Sequence, residues 1–153
     1  MSTRAVYTFK NADEAHHVYK HCDGYPTGAA GAIANALKLA WELPRFEPDE
    51  FGAAFIAANK RNSGGLRLTH GPEHHKDIEY KYEITVEGQA LMVTCYERDR
   101  DWDNPTWTLF YPEPLPLILF IYEARVRALE NQGVTRSDAQ AAVDAEDAED
   151  MKK

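Results

Sequence analysis

A segment of strict alternation constrains the fold more than any other feature. From Ile78 to Ile84, apolar or aromatic residues occupy every second position and charged residues stand between them. Successive side chains of a β-strand point to opposite faces, so this strand has one apolar face and one charged face. Such a half-buried strand is typical of antiparallel sheets, which leave one face in contact with water. We therefore predict an antiparallel sheet that packs one face against a core.

Further strands are indicated by segments rich in β-branched and aromatic residues. The first two flank a polar stretch, residues 11–14, that is suited to a hairpin turn. The segment from residue 90 to residue 96 is apolar on both alternating faces, which favours a central strand. The predicted strands besides 78–84 are 4–10, 15–21, 66–70, 90–96 and 107–111.

Three helices are indicated by apolar spacing and end signals. Alanines recur at helical spacing after Thr27, the expected N-cap, and Trp41 stands beside that stripe. A second helix should begin at Pro48 and end near Gly64. A third should run from about Leu117 to Gln132, with a buried stripe expected at Leu119, Tyr122, Val126 and Leu129.

These elements predict a single α+β domain, residues 1–133, with a mainly antiparallel sheet of five to six strands and two to three helices on one face. Residues 134–153 should form an acidic C-terminal helix, because Ser137 and Gln140 make a capping-box pattern. Few apolar residues follow, so we expect this helix to dock loosely or to protrude as an arm.

Charge and cysteine content narrow the classes of partner and compartment. Twenty-five acidic and 17 basic residues give a formal charge of −8, which disfavours duplex nucleic acid as a ligand. Cys22 and Cys95 form no CxxC pair, so a reducing cytoplasm is the expected location. The N-terminus lacks the apolar core of a signal peptide, and the most apolar stretch, residues 115–122, is too short to cross a bilayer. We expect no membrane partner.

The segment from His21 to Pro26 is the strongest candidate for a functional site. It places an imidazole, a thiol, a carboxylate and a phenol in one strand-to-helix turn, and the helix start that follows offers backbone amides to an anion. A purely structural turn explains the same residues, and that alternative stays open. The candidate ligand-binding residues are His21, Asp23, Tyr25, Thr27 and Gly28.

Other clusters carry less information about function. His70, His74 and His75 crowd one short segment, but their spacing matches no zinc signature, so neither a metal site nor a cofactor is predicted. Residues 99–103 alternate as a calcium loop does, yet the turn glycine and the final glutamate are missing. Catalysis by Cys22 with His21 as base and Asp23 as its orienting partner would require strand neighbours to turn to the same side.

The Ser-Thr-Arg opening at residues 2–4, together with Tyr19, His21 and residues 23–26, resembles a group of small uncharacterised proteins of bacteriophages and mobile elements. That group carries a Tyr-x-His-Trp-Asp-Gly-Tyr loop, and here Cys22 stands at the tryptophan position. The match covers the first thirty residues or so. It implies a phage or prophage context and no particular reaction.

Taken together, these patterns favour a noncatalytic binding module for a host protein or a small ligand, with its site near residues 21–28. The alternatives are a small hydrolase or transferase that uses His21 and Asp23, and an interaction protein that forms homo-oligomers through a sheet edge or the acidic C-terminal helix.

Overall fold

The computed structural model of the chain describes residues 2–40, 47–63 and 65–150. Along these residues, two strands are followed by two α-helices, then by five strands and then by two more α-helices. The strands are β1 (Ala5–Lys10), β2 (Ala15–Lys20), β3 (Leu66–Thr69), β4 (Tyr80–Glu87), β5 (Ala90–Arg98), β6 (Trp107–Leu109) and β7 (Leu115–Pro116). The α-helices are α1 (Pro26–Leu39), α2 (Pro48–Ser63), α3 (Leu117–Asn131) and α4 (Arg136–Asp150). The predicted α+β class with a mainly antiparallel sheet is confirmed.

The sheet has the order β3-β2-β1-β4-β5-β6, and β7 pairs with β5 beside β6. The hairpin of β1 and β2 and the hairpin of β4 and β5 are antiparallel, whereas β1 and β4 run parallel. Parallel neighbours need a long crossover connection. Here that connection contains β2, β3 and the helices α1 and α2, which explains why adjacent strands stand so far apart in the sequence.

One face of the sheet packs against helices and forms the main core. Tyr7 and Tyr82 come from neighbouring strands and stack with ring centroids 4.9 Å apart, and Phe55 of α2 lies 4.6 Å from the Tyr7 centroid. The alternation of β4 places Tyr82 and Ile84 in this core. Ile78 lies before the strand begins and packs instead with a smaller apolar cluster on the opposite face of the sheet.

Helix α1 lies between α2 and α3, and its alanines permit close packing. Its N-cap is Tyr25 and Pro26 is its first residue, so the expected N-cap at Thr27 is wrong by two positions. Proline is favoured at the first helical position because its fixed φ is already helical and its missing N–H is not needed there. Trp41 and Gly64 lie outside the described residues.

The stripe expected on α3 is confirmed at Val126, which is buried, and at Tyr122 and Leu129, which are partly buried against it, but it is wrong at Leu119. Leu119 is exposed, whereas Leu117, Phe120, Ala124 and Val126 are buried. The difference arises because the first half of α3 faces the sheet while Val126 faces the neighbouring helix α4. In the described part of the chain, no helix is long and apolar enough to cross a membrane.

Helix α4 packs on α3 through a small apolar cluster of its own. Val126, Ala139 and Val143 in this cluster are at most 1% exposed. Arg125 of α3 adds ion pairs with Glu146 and Asp147 at the rim. The few apolar residues of this acidic helix are thus gathered on the side that meets the domain.

Candidate functional site

The turn from β2 into α1, residues 21–28, is clamped to the beginning of β1. The Gly24 amide donates to the Thr3 carbonyl at 2.9 Å, and the buried Tyr82 hydroxyl donates to the Gly24 carbonyl at 2.6 Å. A Cβ atom on Gly24 would stand 2.8 Å from the Ala5 Cβ and 2.9 Å from the Thr3 oxygen. Only glycine fits this close approach. The turn at residues 21–28 is therefore packed against the segment that leads into β1, and we call this turn the corner.

The corner continues into the first turn of α1 with little free space. Asp23 has a φ of 55°, in the left-handed region that aspartate tolerates better than most residues. A Cβ atom on Gly28 would lie 2.1 Å from the Asp23 carbonyl oxygen, so the backbone of α1 packs directly against that carbonyl group. The Tyr25 hydroxyl donates to the Asp23 carboxylate at 3.4 Å.

His21 lies apart from the other predicted site residues. Its Nδ1 accepts a hydrogen bond from Arg4 Nε at 3.3 Å and lies 3.3 Å from the Tyr19 hydroxyl. Arg4 Nε also pairs with the Asp77 carboxylate at 3.1 Å. Within the described residues no hydrogen bond joins His21 to Asp23. The arrangement therefore offers no prepared imidazole and carboxylate pair for catalysis.

Asp23, Tyr25, Thr27 and Gly28 are brought together along a shallow groove of about 260 Å³. The ammonium group of Lys20, a residue only 3% exposed, lies beside it and donates to the Cys22 carbonyl. The corner thus displays four of the five predicted residues on a concave surface, and His21 does not line it.

A larger cleft of about 370 Å³ opens on the other side of Tyr25. Three parts of the fold build its walls: the corner, the ends of β4 and β5 with the segment after β6, and the second half of α3. Four aromatic side chains line it together with several polar and charged groups. Its principal lining residues are Tyr25, Thr27, Tyr80, Glu97, Phe110, Tyr111, Arg127 and Asn131. We call this concavity the aromatic cleft.

Two charged groups of opposite sign, Arg127 and Glu97, line the aromatic cleft. The Arg127 guanidinium lies 4.0 Å from the Phe110 ring centroid and donates to the Phe110 carbonyl at 3.2 Å. On the strand side, burial and the neighbouring Glu97 carboxylate raise the pKa of Tyr80 to about 12. The Tyr80 phenol is protonated at neutral pH, as an ordinary tyrosine is, and it is hydrogen-bonded to the Glu97 carboxylate.

The other phenols of the aromatic cleft are also kept protonated. Burial raises the pKa of Tyr111 and, together with Asp23, that of Tyr25. The Tyr111 hydroxyl is buried and has no hydrogen-bond partner among the described residues. The volume of the aromatic cleft, a few hundred Å³, lies within the range of small-molecule sites.

Sequence reasoning missed most of the aromatic cleft. It identified Tyr25 and Thr27 from the turn, but Tyr80, Glu97, Phe110 and Arg127 come from elements far away along the chain. The alternation of β4 places Tyr80 on the helix-covered face, and this was the one usable signal for it. No sequence signal pointed to Arg127, because a single arginine on a helix is most often a solvated residue.

The three histidines within residues 70–75 contact aromatic rings and a hydroxyl group. His75 stacks on Tyr19 with centroids 4.3 Å apart and lies 2.7 Å from the Thr69 hydroxyl. The His70 and His74 rings are 5.8 Å apart and meet edge to face. Across residues 2–40, 47–63 and 65–150, no three histidine, cysteine, aspartate or glutamate side chains form a group that could hold a metal ion.

Comparisons with protein-family models, with curated proteins and with solved structures give no match to this chain.

Proposed function

We propose that this chain is a noncatalytic binding module that holds a small ring-containing molecule in the aromatic cleft. The observation that carries this proposal is the convergence of Tyr25, Tyr80 and Phe110 around Glu97 and Arg127 in one concavity. A flat ring gains both buried area and favourable ring geometry against aromatic side chains. The corner at residues 21–28, where the sequence predicts a binding site, forms one wall of the aromatic cleft.

The polar groups of the cleft define what the ligand must carry. The Glu97 carboxylate accepts hydrogen bonds and the Arg127 guanidinium donates them. The aromatic and backbone contacts of Arg127 fix its direction before a ligand arrives, which reduces the entropy lost on binding. A ring that bears a group able to pair with one of these two charges is the ligand class that fits.

A binding role is supported over catalysis by the state of the polar groups. His21 and Asp23 are each engaged with other partners, Arg4 and Tyr25. The small volume of the cleft favours a small molecule over a folded host protein as its occupant.

The biological setting of the module is part of the same proposal. The resemblance of residues 2–26 to small phage proteins favours an accessory role in which a host metabolite is bound and withheld. Cys22 and Cys95 are not joined by a disulfide, in keeping with a cytoplasmic location.

The test uses three probes that share a benzene ring and differ in charge: benzoate, benzamidine and benzamide. Binding is followed by two-dimensional NMR of the labelled protein. We expect shifts at the amides around the aromatic cleft, with benzoate weakened by Arg127→Gln and benzamidine weakened by Glu97→Gln. Tyr25 is 42% exposed, so Tyr25→Ala should fold normally and weaken every probe that binds.

The matched control is Tyr96→Ala, which removes the same ring from the opposite face of the sheet. It should leave the affinities unchanged. The proposed function is wrong if none of the three probes binds at millimolar concentration, or if Tyr25→Ala and Tyr96→Ala have equal effects.

A further inference from the structure

A third cavity, of about 590 Å³, lies on the face of the sheet opposite the helices. Residues 72–76 form one side of it and residues 102–107 form the other, with the side chains of Lys81 and Arg98 on the sheet between them. Its walls contain two indoles and two proline rings. We call it the indole cavity.

The cations of the indole cavity are held against aromatic rings. The Lys81 ammonium lies 4.4 Å from the Trp107 ring centroid and 5.2 Å from that of Tyr96. The Arg98 guanidinium lies 4.3 Å from the Trp102 centroid and donates to the Trp102 carbonyl at 3.2 Å. Contacts of this kind attract a cation to a ring face and fix both partners.

Arg98 is held further by the segment that precedes β4. It donates to the carbonyl of Lys76 at 2.5 Å, while its Nε is buried and has no hydrogen-bond partner among the described residues. Burial also lowers the pKa of Lys81, which marks a partly desolvated ammonium. Charges that have already lost part of their water bind an anion more strongly than fully hydrated charges do.

The charge of the indole cavity is opposite to that of the whole chain. Lys76, Lys81 and Arg98 line it against the carboxylates of Glu73 and Asp103, whereas the chain carries a formal charge of −8. The Glu73 carboxylate also lies 3.5 Å from His74 Nε2, which offsets part of its charge when that histidine is protonated. This local excess of cations is consistent with an anionic ligand.

We propose that the indole cavity binds a planar heterocycle that carries a phosphate, the chemistry of a nucleoside monophosphate. The heterocycle would lie against the indoles of Trp102 and Trp107, and the phosphate would lie near Lys81 and Arg98. Stacking on aromatic side chains is sequence-tolerant and contributes strongly to the binding of nucleobases. The volume lies within the range of small-molecule sites. This site is separate from the aromatic cleft and does not depend on the proposed function.

Isothermal titration calorimetry of the full chain tests this assignment with three probes: adenosine 5′-monophosphate, adenosine and inorganic phosphate. Because both the ring and the anion are needed, the nucleotide should bind at least tenfold more tightly than either of the others. Trp102 is 54% exposed, so Trp102→Leu should fold normally and weaken nucleotide binding at least tenfold. Lys81→Met should do the same, while Lys10→Gln, at an exposed position of β1, should have no effect.

The assignment is overturned if adenosine and its monophosphate bind equally, if no nucleotide binds at millimolar concentration, or if Trp102→Leu and Lys81→Met both leave the affinity unchanged. A single-stranded adenine octanucleotide separates a free nucleotide from a nucleic-acid strand as the source of the ligand. A strand that binds more than a hundredfold more tightly than the mononucleotide, with the same loss in Trp102→Leu, would overturn the assignment to a free nucleotide.

Discussion

The buried hydroxyl of Tyr82, at the centre of the sheet, donates to the carbonyl of Gly24 at the corner that begins α1, with 2.6 Å between the two oxygen atoms. This bond joins residues 58 positions apart and holds the corner against β4, the neighbour of β1 in the sheet. The position of Tyr25 in the aromatic cleft depends on it, because Tyr25 comes directly after Gly24.

Removal of that hydroxyl should destabilise the protein. Tyr82→Phe keeps the ring but leaves the buried Gly24 carbonyl without its donor, and an unsatisfied buried group costs about 1–3 kcal/mol. Urea unfolding followed by circular dichroism measures the loss. Tyr96→Phe is the matched control on the opposite face of the sheet and should change the free energy of unfolding by less than about 0.5 kcal/mol. Equal losses in the two variants would show that the corner does not rely on Tyr82.

Two glycines of α1 should respond in opposite ways to alanine. A Cβ atom at Gly28 would collide with the Asp23 carbonyl, whereas nothing lies within 4 Å of a Cβ atom at Gly31. Gly28→Ala should therefore destabilise the protein by about 1–3 kcal/mol through overpacking. Gly31→Ala should stabilise it by about 0.5–1 kcal/mol, because alanine loses less backbone entropy in a helix. Thermal and urea unfolding of the two variants measure the direction of each stability change. A gain in stability for Gly28→Ala would contradict the corner geometry.

Stability should fall in alkaline solution. Burial raises the pKa of Cys95 from 9.0 to about 12 and helps to raise that of Tyr80 from 10.0 to about 12. The unfolded chain then releases protons that the folded chain still holds, so the free energy of unfolding decreases as the pH rises through this interval. The urea midpoint should be level up to about pH 8.5 and should decline above about pH 9. Cys95→Ala should make the decline shallower, and equal slopes in both proteins would contradict this origin.

Docking of α4 should rest on its apolar contacts more than on its ion pairs. Val143 is 1% exposed against Val126, whereas Arg125 pairs with Glu146 and Asp147 at the exposed rim. Val143→Ala should weaken docking by about 2 kcal/mol, which speeds amide hydrogen exchange in α4 about 30-fold. Arg125→Gln should weaken it by less than about 1 kcal/mol. The reverse order would show that charge holds the helix.

Local patterns in the sequence predicted most of the elements, because helices and hairpins are set by residues close together in the chain. The alternation of β4, the alanine stripe of α1 and the first hairpin were all of this kind. The parallel pairing of β1 with β4 had no local signal, since it joins residues 5–9 to residues 80–84 across two helices. A pairing of that kind is decided by packing of the whole core.

The same limit applied to the candidate site. The turn residues Asp23, Tyr25, Thr27 and Gly28 could be identified because they are adjacent in sequence. Sequence spacing could not show that His21 lies with Arg4 and Tyr19, because the direction of a side chain at the end of a strand depends on the turn that follows. The opposite wall of the aromatic cleft, with Glu97 and Arg127, required the positions of β5 and α3.

Nuclear Overhauser contacts between a bound probe and the aromatic rings would locate the ligand in the fold. In the proposed function, the corner beside Tyr25 forms one wall of the ligand site. For the tightest binder among benzoate, benzamidine and benzamide, we expect contacts from its ring protons to the rings of Tyr25 and Phe110. Contacts confined to other rings, such as Trp102 and Trp107, would contradict the proposed function.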